Sequence, residues 1–251
     1  MPTSSDPSDT APALQAPSGA GPAPLPRPPR PSRVLPPVVL LFLLITWQVV
    51  TRGPLERADE WLSSALVHPG RISMLLADLG NVEVAVPVLA VVLIAVAWRA
   101  REAGADRWWL ASVAAAGLMA AVPVLVVVLK ALIARPGPPG SGTVTGFYPS
   151  GHTATATLAY GLAGLVLWPW LATPQARRRL LDVCVAVILG VVYGLIRSGY
   201  HWPLDTLASW CLCAPALYAL WSLLSRRADE RHPSAPATEP ATGTGTGTGT
   251  G

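Results

Sequence analysis

The feature that most constrains this chain is a series of apolar runs, each long enough to cross a bilayer and each bounded by charged or turn-forming residues. A helix needs roughly 20 predominantly apolar residues to span the hydrocarbon core. In lipid its backbone groups must be satisfied within the segment, so these runs are predicted to be helical. They fall at residues 34–50, 84–98, 108–133, 153–172, 180–196 and 203–224. Glu83 limits the apolar length of the second, which is preceded by Asp78-Leu79-Gly80-Asn81. Residues 57–67 read as a short interfacial helix with Trp61, Ala65 and Leu66 on one side. Only 13% of the 251 residues are charged and 51% are hydrophobic, against roughly a quarter charged in soluble domains. The expected fold class is therefore all-α: a polytopic six-helix membrane bundle over 34–224.

Both ends differ in composition from this core. Residues 1–33 are rich in Pro, Ala and Ser, and residues 225–251 pass into a Thr-Gly repeat. Such segments have too little apolar surface to offset their ordering entropy, and both are expected to be disordered tails. No apolar core precedes Val34, so the first helix is expected to act as the insertion signal.

Arginine fixes the expected orientation. Arg27, Arg30 and Arg33 precede the first helix, Arg99, Arg101 and Arg107 lie between the second and third, Arg177–Arg179 between the fourth and fifth, and Arg226, Arg227 and Arg231 follow the sixth. A six-helix plan puts all four clusters on one side, which the positive-inside rule makes cytoplasmic, with both termini there. The net charge of +4 is thus a topology signal, and nucleic acid is not an implied partner. Cys184, Cys211 and Cys213 lie within predicted helices, without disulfide or zinc-finger spacing, and read as small core residues.

The opposite, extracytoplasmic face gathers ionisable groups from three stretches: Lys130 and Arg135 in KALIARPGPPG, His152 beside Ser150 and Gly151 in YPSGHTATAT, and Arg197, His201 and Asp205 in RSGYHWPLD. Taken singly, each has a structural role open to it. Lys130 and Arg135 can snorkel, Ser150 can cap a helix, and Asp205 can complement a helix dipole. Together, polar groups at this depth point to function.

The set suits a phosphate ester. Two helix N-termini point outward with free N–H groups, Gly151 lets the backbone approach an anion closely, and Lys130, Arg135 and Arg197 can balance phosphate charge. Two histidines can divide the chemistry, one attacking phosphorus and the other protonating the leaving alkoxide. Asp205 lies four residues after His201 and can fix its tautomer, which makes His201 the better nucleophile and His152 the better acid.

At these residues the chain resembles the type 2 phosphatidic acid phosphatase family, integral-membrane lipid phosphatases related to vanadium haloperoxidases. The family motifs are Lys-x6-Arg-Pro, Pro-Ser-Gly-His and Ser-Arg-x5-His-x3-Asp. The second stands intact as Pro149-Ser150-Gly151-His152, and His201 to Asp205 supplies the end of the third. The resemblance implies a six-helix lipid phosphatase with a phosphohistidine intermediate on His201 and His152 as general acid. It also implies phosphoryl contacts from Lys130, Ser150 and Gly151, and neither cofactor nor metal. Two motif arginines are absent: Gly137 and Leu195 hold their positions, with Gly194 for the serine. Arg135 and Arg197, each two residues away, are expected to reach the same phosphate. The expected partners are a lipid phosphate and the bilayer of the cell membrane. Phosphatidic acid, phosphatidylglycerol phosphate and a polyprenyl diphosphate remain open as substrates. Two alternatives are a non-enzymatic lipid-phosphate-binding or transport protein, favoured by the missing arginines, and a metal-dependent hydrolase ligated by His152, His201 and Asp205, which the nearby cations oppose.

Overall fold

A computed structural model describes residues 25–139 and 144–231. In chain order its helices are α1 (Pro31–Val50), α2 (Pro54–Leu66), α3 (Arg71–Asp78), α4 (Val82–Glu102), α5 (Leu110–Ile133), α6 (Gly151–Leu167), α7 (Pro174–Arg197) and α8 (Pro203–Arg231). The six expected spans are α1 and α4 to α8, and α2 and α3 fill the connection between the first two. Five of the six, α1, α4, α5, α7 and α8, are long and apolar enough to cross a membrane. The protein is an integral membrane helical bundle.

The sixth, α6, has 17 residues and forms the centre. Helices α4, α5, α7 and α8 all pack against it, and every residue from Thr153 to Ala159 is buried. Its threonines and alanines let neighbouring backbones approach closely, the packing mode of helices in lipid. Leu158, Leu162 and Val166 continue it into the main apolar core with Leu89, Val122 and Leu220. Large apolar side chains such as Leu40, Val91 and Leu132 cover the outer surface instead.

Helix α2 turns its expected apolar side outward and a polar side inward. Trp61 is 72% exposed, whereas Glu56, Asp59 and Ser63 are buried. Their spacing of three and four puts them on one face, which packs towards α1, α7 and α8. Helix α3 lies against α7, where Gly194 permits the contact. A Cβ there would stand 2.5 Å from both Ala77 N and Ser73 O.

The tails expected at 1–33 and 225–251 fall partly outside the described residues, at 1–24 and 232–251. Within the described part, 25–30 runs along α8, with Trp221 Nε1 donating to Pro26 O (2.8 Å) and Tyr218 Oη to Pro29 O (2.6 Å). At the other end α8 continues to Arg231, past the expected end at Leu224. The alternating direction of the spans gathers the ends of α1, α5 and α7 and the starts of α4, α6 and α8 at one end of the bundle, opposite the arginine clusters.

Candidate active site

The turn between α7 and α8 carries the histidine expected as nucleophile. Gly199 takes φ +71° there, a left-handed conformation that glycine adopts without steric cost. Pro203 then begins α8, suited to a first helical position because it has no N–H to satisfy. Asp205 is fully buried. Its Oδ2 accepts from His201 Nδ1 (3.3 Å) and from Trp202 N (3.2 Å). With Nδ1 carrying a proton towards Asp205, the lone pair of His201 lies on Nε2.

The other oxygen of Asp205 accepts from Arg135 Nη1 at 2.6 Å. Arg135, expected to hold substrate phosphate, is instead built into a carboxylate cluster. Its Nη2 donates to Asp59 Oδ2 (2.9 Å), its Nε lies 3.6 Å from Glu56 Oε1, and its guanidinium lies 5.2 Å from the centre of the Trp202 ring. Its side chain is 2% exposed, so the planar fork is spent on protein carboxylates. Burial works against its charge, but Asp205 and Asp59 hold its pKa above the usual value. Burial in turn raises Glu56, and raises Asp59 to about 6 despite the adjacent guanidinium.

Ser150 caps α6, its Oγ accepting from Thr153 N (3.3 Å). Its own N–H donates to Asp205 O (3.1 Å) and its carbonyl accepts from Ser209 Oγ (2.8 Å). The serine expected at the phosphate therefore clamps the start of α6 to α8. The N–H groups of Gly151 and His152 belong to the first turn and have no partner within the helix. Lys130 lies over this turn: a Cβ on Gly151 would be 3.9 Å from Lys130 Cε. Lys130, Gly151 and His152 line one cavity of about 380 Å³ with Asn81, Glu83 and Thr155.

The rings of His152 and His201 lie near each other, with centroids 6.4 Å apart and planes tilted by 59°. His152 Nε2 pairs with Asn81 Oδ1 at 2.6 Å, and Asn81 Nδ2 donates to Asp78 Oδ1 at 3.1 Å. The second bond orients the amide so that its oxygen faces the imidazole. Nε2 is then the donor to Asn81, which leaves the lone pair of the neutral ring on Nδ1.

Arg197 stands apart from this cavity. It ends α7 with its guanidinium 6.0 Å from the centre of the Tyr193 ring, and Tyr193 is 53% exposed. Residues two apart on a helix point about 200° apart, so Arg197 does not occupy the direction of Leu195. Leu195 is fully buried with Ala77, Ala156 and Val191, an apolar surrounding that leaves no place for a charged side chain.

Three participants were not anticipated. Asn81 stood in the noted turn before the second span. Glu56 and Asp59 carried a readable signal in their three-residue spacing, on the side of the helix away from Trp61.

Comparison with known proteins extends this picture. Residues 111–229 match the model of the PAP2 superfamily. The fold is similar to the crystal structure of the first transmembrane PAP2 type phosphatidylglycerolphosphate phosphatase from Bacillus subtilis, with a TM-score of 0.61 at 20% identity, over 79% of this chain and 97% of that one. No curated protein matches the sequence.

Proposed function

Residues 111–229 belong to the PAP2 superfamily, and from that premise we propose that this membrane phosphatase hydrolyses a lipid-linked phosphate ester through a phosphohistidine on His201. The observation that carries the proposal is the proximity of His152 and His201 at 6.4 Å, with His201 tied to Asp205.

In the first step His201 Nε2 attacks phosphorus and the bond to the lipid alkoxide breaks. His152 donates its Nδ1 proton to that oxygen. Lys130 and the first-turn N–H groups of α6, from Gly151 and His152, hold the phosphoryl oxygens and stabilise charge in the transition state. Neutral His152 then takes a proton from water, which attacks the phosphohistidine and releases inorganic phosphate. The route uses no metal ion. Arg135 and Ser150 support it indirectly, by fixing Asp205 and the start of α6.

The substrate is a lipid whose headgroup reaches the ends of α4, α5 and α6 while its chains remain in the bilayer. Phosphatidic acid, phosphatidylglycerol phosphate and polyprenyl diphosphates meet that description. The arginine clusters at the opposite end of the bundle support a site on the extracytoplasmic side of the cell membrane, with both termini inside.

Purified protein in detergent with EDTA, assayed on these three lipids beside His201→Ala, tests the reading. Phosphate release that survives EDTA and disappears in His201→Ala is expected. Release abolished by EDTA overturns the metal-free route. No release from any lipid favours a non-enzymatic lipid-phosphate-binding protein, the reading that the buried Leu195 at a motif-arginine position supports.

A further inference from the structure

Burying carboxylates on an interfacial helix is costly unless each finds a partner. On α2 the apolar Trp61, Leu62 and Leu66 are exposed, while Asp59 is 3% exposed. Asp59 lies outside residues 111–229, the span of the family match. Its two oxygens reach two different supports of the nucleophile. Oδ2 accepts from Arg135 Nη2 (2.9 Å), the guanidinium that also binds Asp205. Oδ1 accepts from Leu204 N (2.9 Å), in the turn of α8 that carries Asp205.

We infer that Asp59 is a positioning residue for His201, setting both its orientation and its readiness to accept a proton through Arg135 and Asp205. The inference rests on the reading of His201 as nucleophile. Without Asp59, the Arg135 charge falls on Asp205 and the more distant Glu56. The carboxylate then interacts less strongly with the imidazole, and the cation beside it is less compensated. The groups facing His201 are Asp205 from α8, Arg135 from the α5–α6 connection, His152 from α6, and Asp59 and Glu56 behind the guanidinium from α2. Lys130 of α5 lines the cavity beside His152. Of the carboxylates, only Asp59 touches both Arg135 and the backbone of α8.

Asp59→Asn keeps the shape and removes the charge. Loss of a partner that orients a functional imidazole typically costs about 10- to 100-fold in activity. With dioctanoyl phosphatidic acid in detergent, kcat is expected to fall by that factor while KM stays near wild type. The acid-side limb of the kcat/KM profile is expected to move to lower pH, because above about pH 6, where Asp59 is ionised in the wild type, its loss leaves a less compensated cation that opposes protonation of His201. Asp59→Glu restores the charge and returns the limb. A merely structural role would lower the amount of folded enzyme without moving the limb.

Histidine 15N NMR in detergent reads the same effect without turnover, and the chain has only four histidines to assign. In the wild type His201 is expected as the Nδ1–H tautomer, with its titration midpoint lowered in Asp59→Asn. If Asp59→Asn does not fold, Glu56→Gln removes the more distant carboxylate, 3.6 Å from Arg135, and shifts the midpoint the same way by less. An unmoved midpoint and limb in a folded variant overturn the inference. A wild type that shifts as expected in NMR but releases no phosphate overturns the phosphatase reading and leaves the positioning role standing.

Discussion

Arg135 donates to Asp205 across 2.6 Å with both side chains buried, so the arginine nearest the Pro-rich connection pairs with the carboxylate that holds His201. Removing one member of a buried, paired set leaves the other charges uncompensated and typically costs about 3–5 kcal/mol. Arg135→Ala is therefore expected to lower the melting temperature in detergent sharply and to abolish phosphate release. Arg135→Lys keeps the charge but not the fork that reaches Asp205 and Asp59 together, and is expected to fall between the two. A fully active, fully stable Arg135→Ala would contradict this role.

Arg197 and Leu195 make a contrasting pair. Arg197→Ala removes a half-buried side chain beside Tyr193, and such changes are usually within about 0.5 kcal/mol. Its kcat/KM is expected to stay within about threefold of wild type. Leu195→Arg instead forces a charge among Ala77, Ala156 and Val191 and is expected to destabilise the fold rather than restore a phosphate contact. Steady-state kinetics and a thermal melt of the two variants check both statements.

Asn81 holds the imidazole of His152 at 2.6 Å. Asn81→Ala leaves the cavity open but the ring free to turn, and is expected to lower kcat by about 10- to 100-fold with little change in KM. An equal fall in affinity for inorganic phosphate would mean that Asn81 contacts the ligand itself.

Asp59 gives stability a definite pH dependence. Its carboxyl, raised by burial from 3.8 to about 6, binds its proton more tightly folded than unfolded. Its contribution is fully present below about pH 4 and is lost as pH rises through about 6. A shift of this size corresponds to about 3 kcal/mol. The melting temperature of Asp59→Asn relative to wild type is therefore expected to rise between pH 4 and pH 7. A constant difference would show that Asp59 titrates as an exposed carboxylate.

The bundle was legible because lipid imposes one rule on every segment: apolar, long and internally hydrogen-bonded. The lengths of α1, α4, α5, α7 and α8 follow from it directly. The pairing of His201 with Asp205 was legible through local spacing, since a turn and one helical step are short-range geometry. Asp59 and Asn81 were harder to see, because their partners lie 76 and 71 residues away in the chain.

By itself the sequence determined a helical membrane bundle, the end at which its polar groups gather, and which histidine has a carboxylate within reach. Only the tertiary structure decided what each arginine faces. Arg135 had three carboxylates within its reach and little exposure, so charge pairing in a low-dielectric interior claimed it. Arg197 lost the direction of Leu195 because two residues of helix rotate a side chain to the opposite side. Sequence distance counts residues, whereas a site is made by direction and burial.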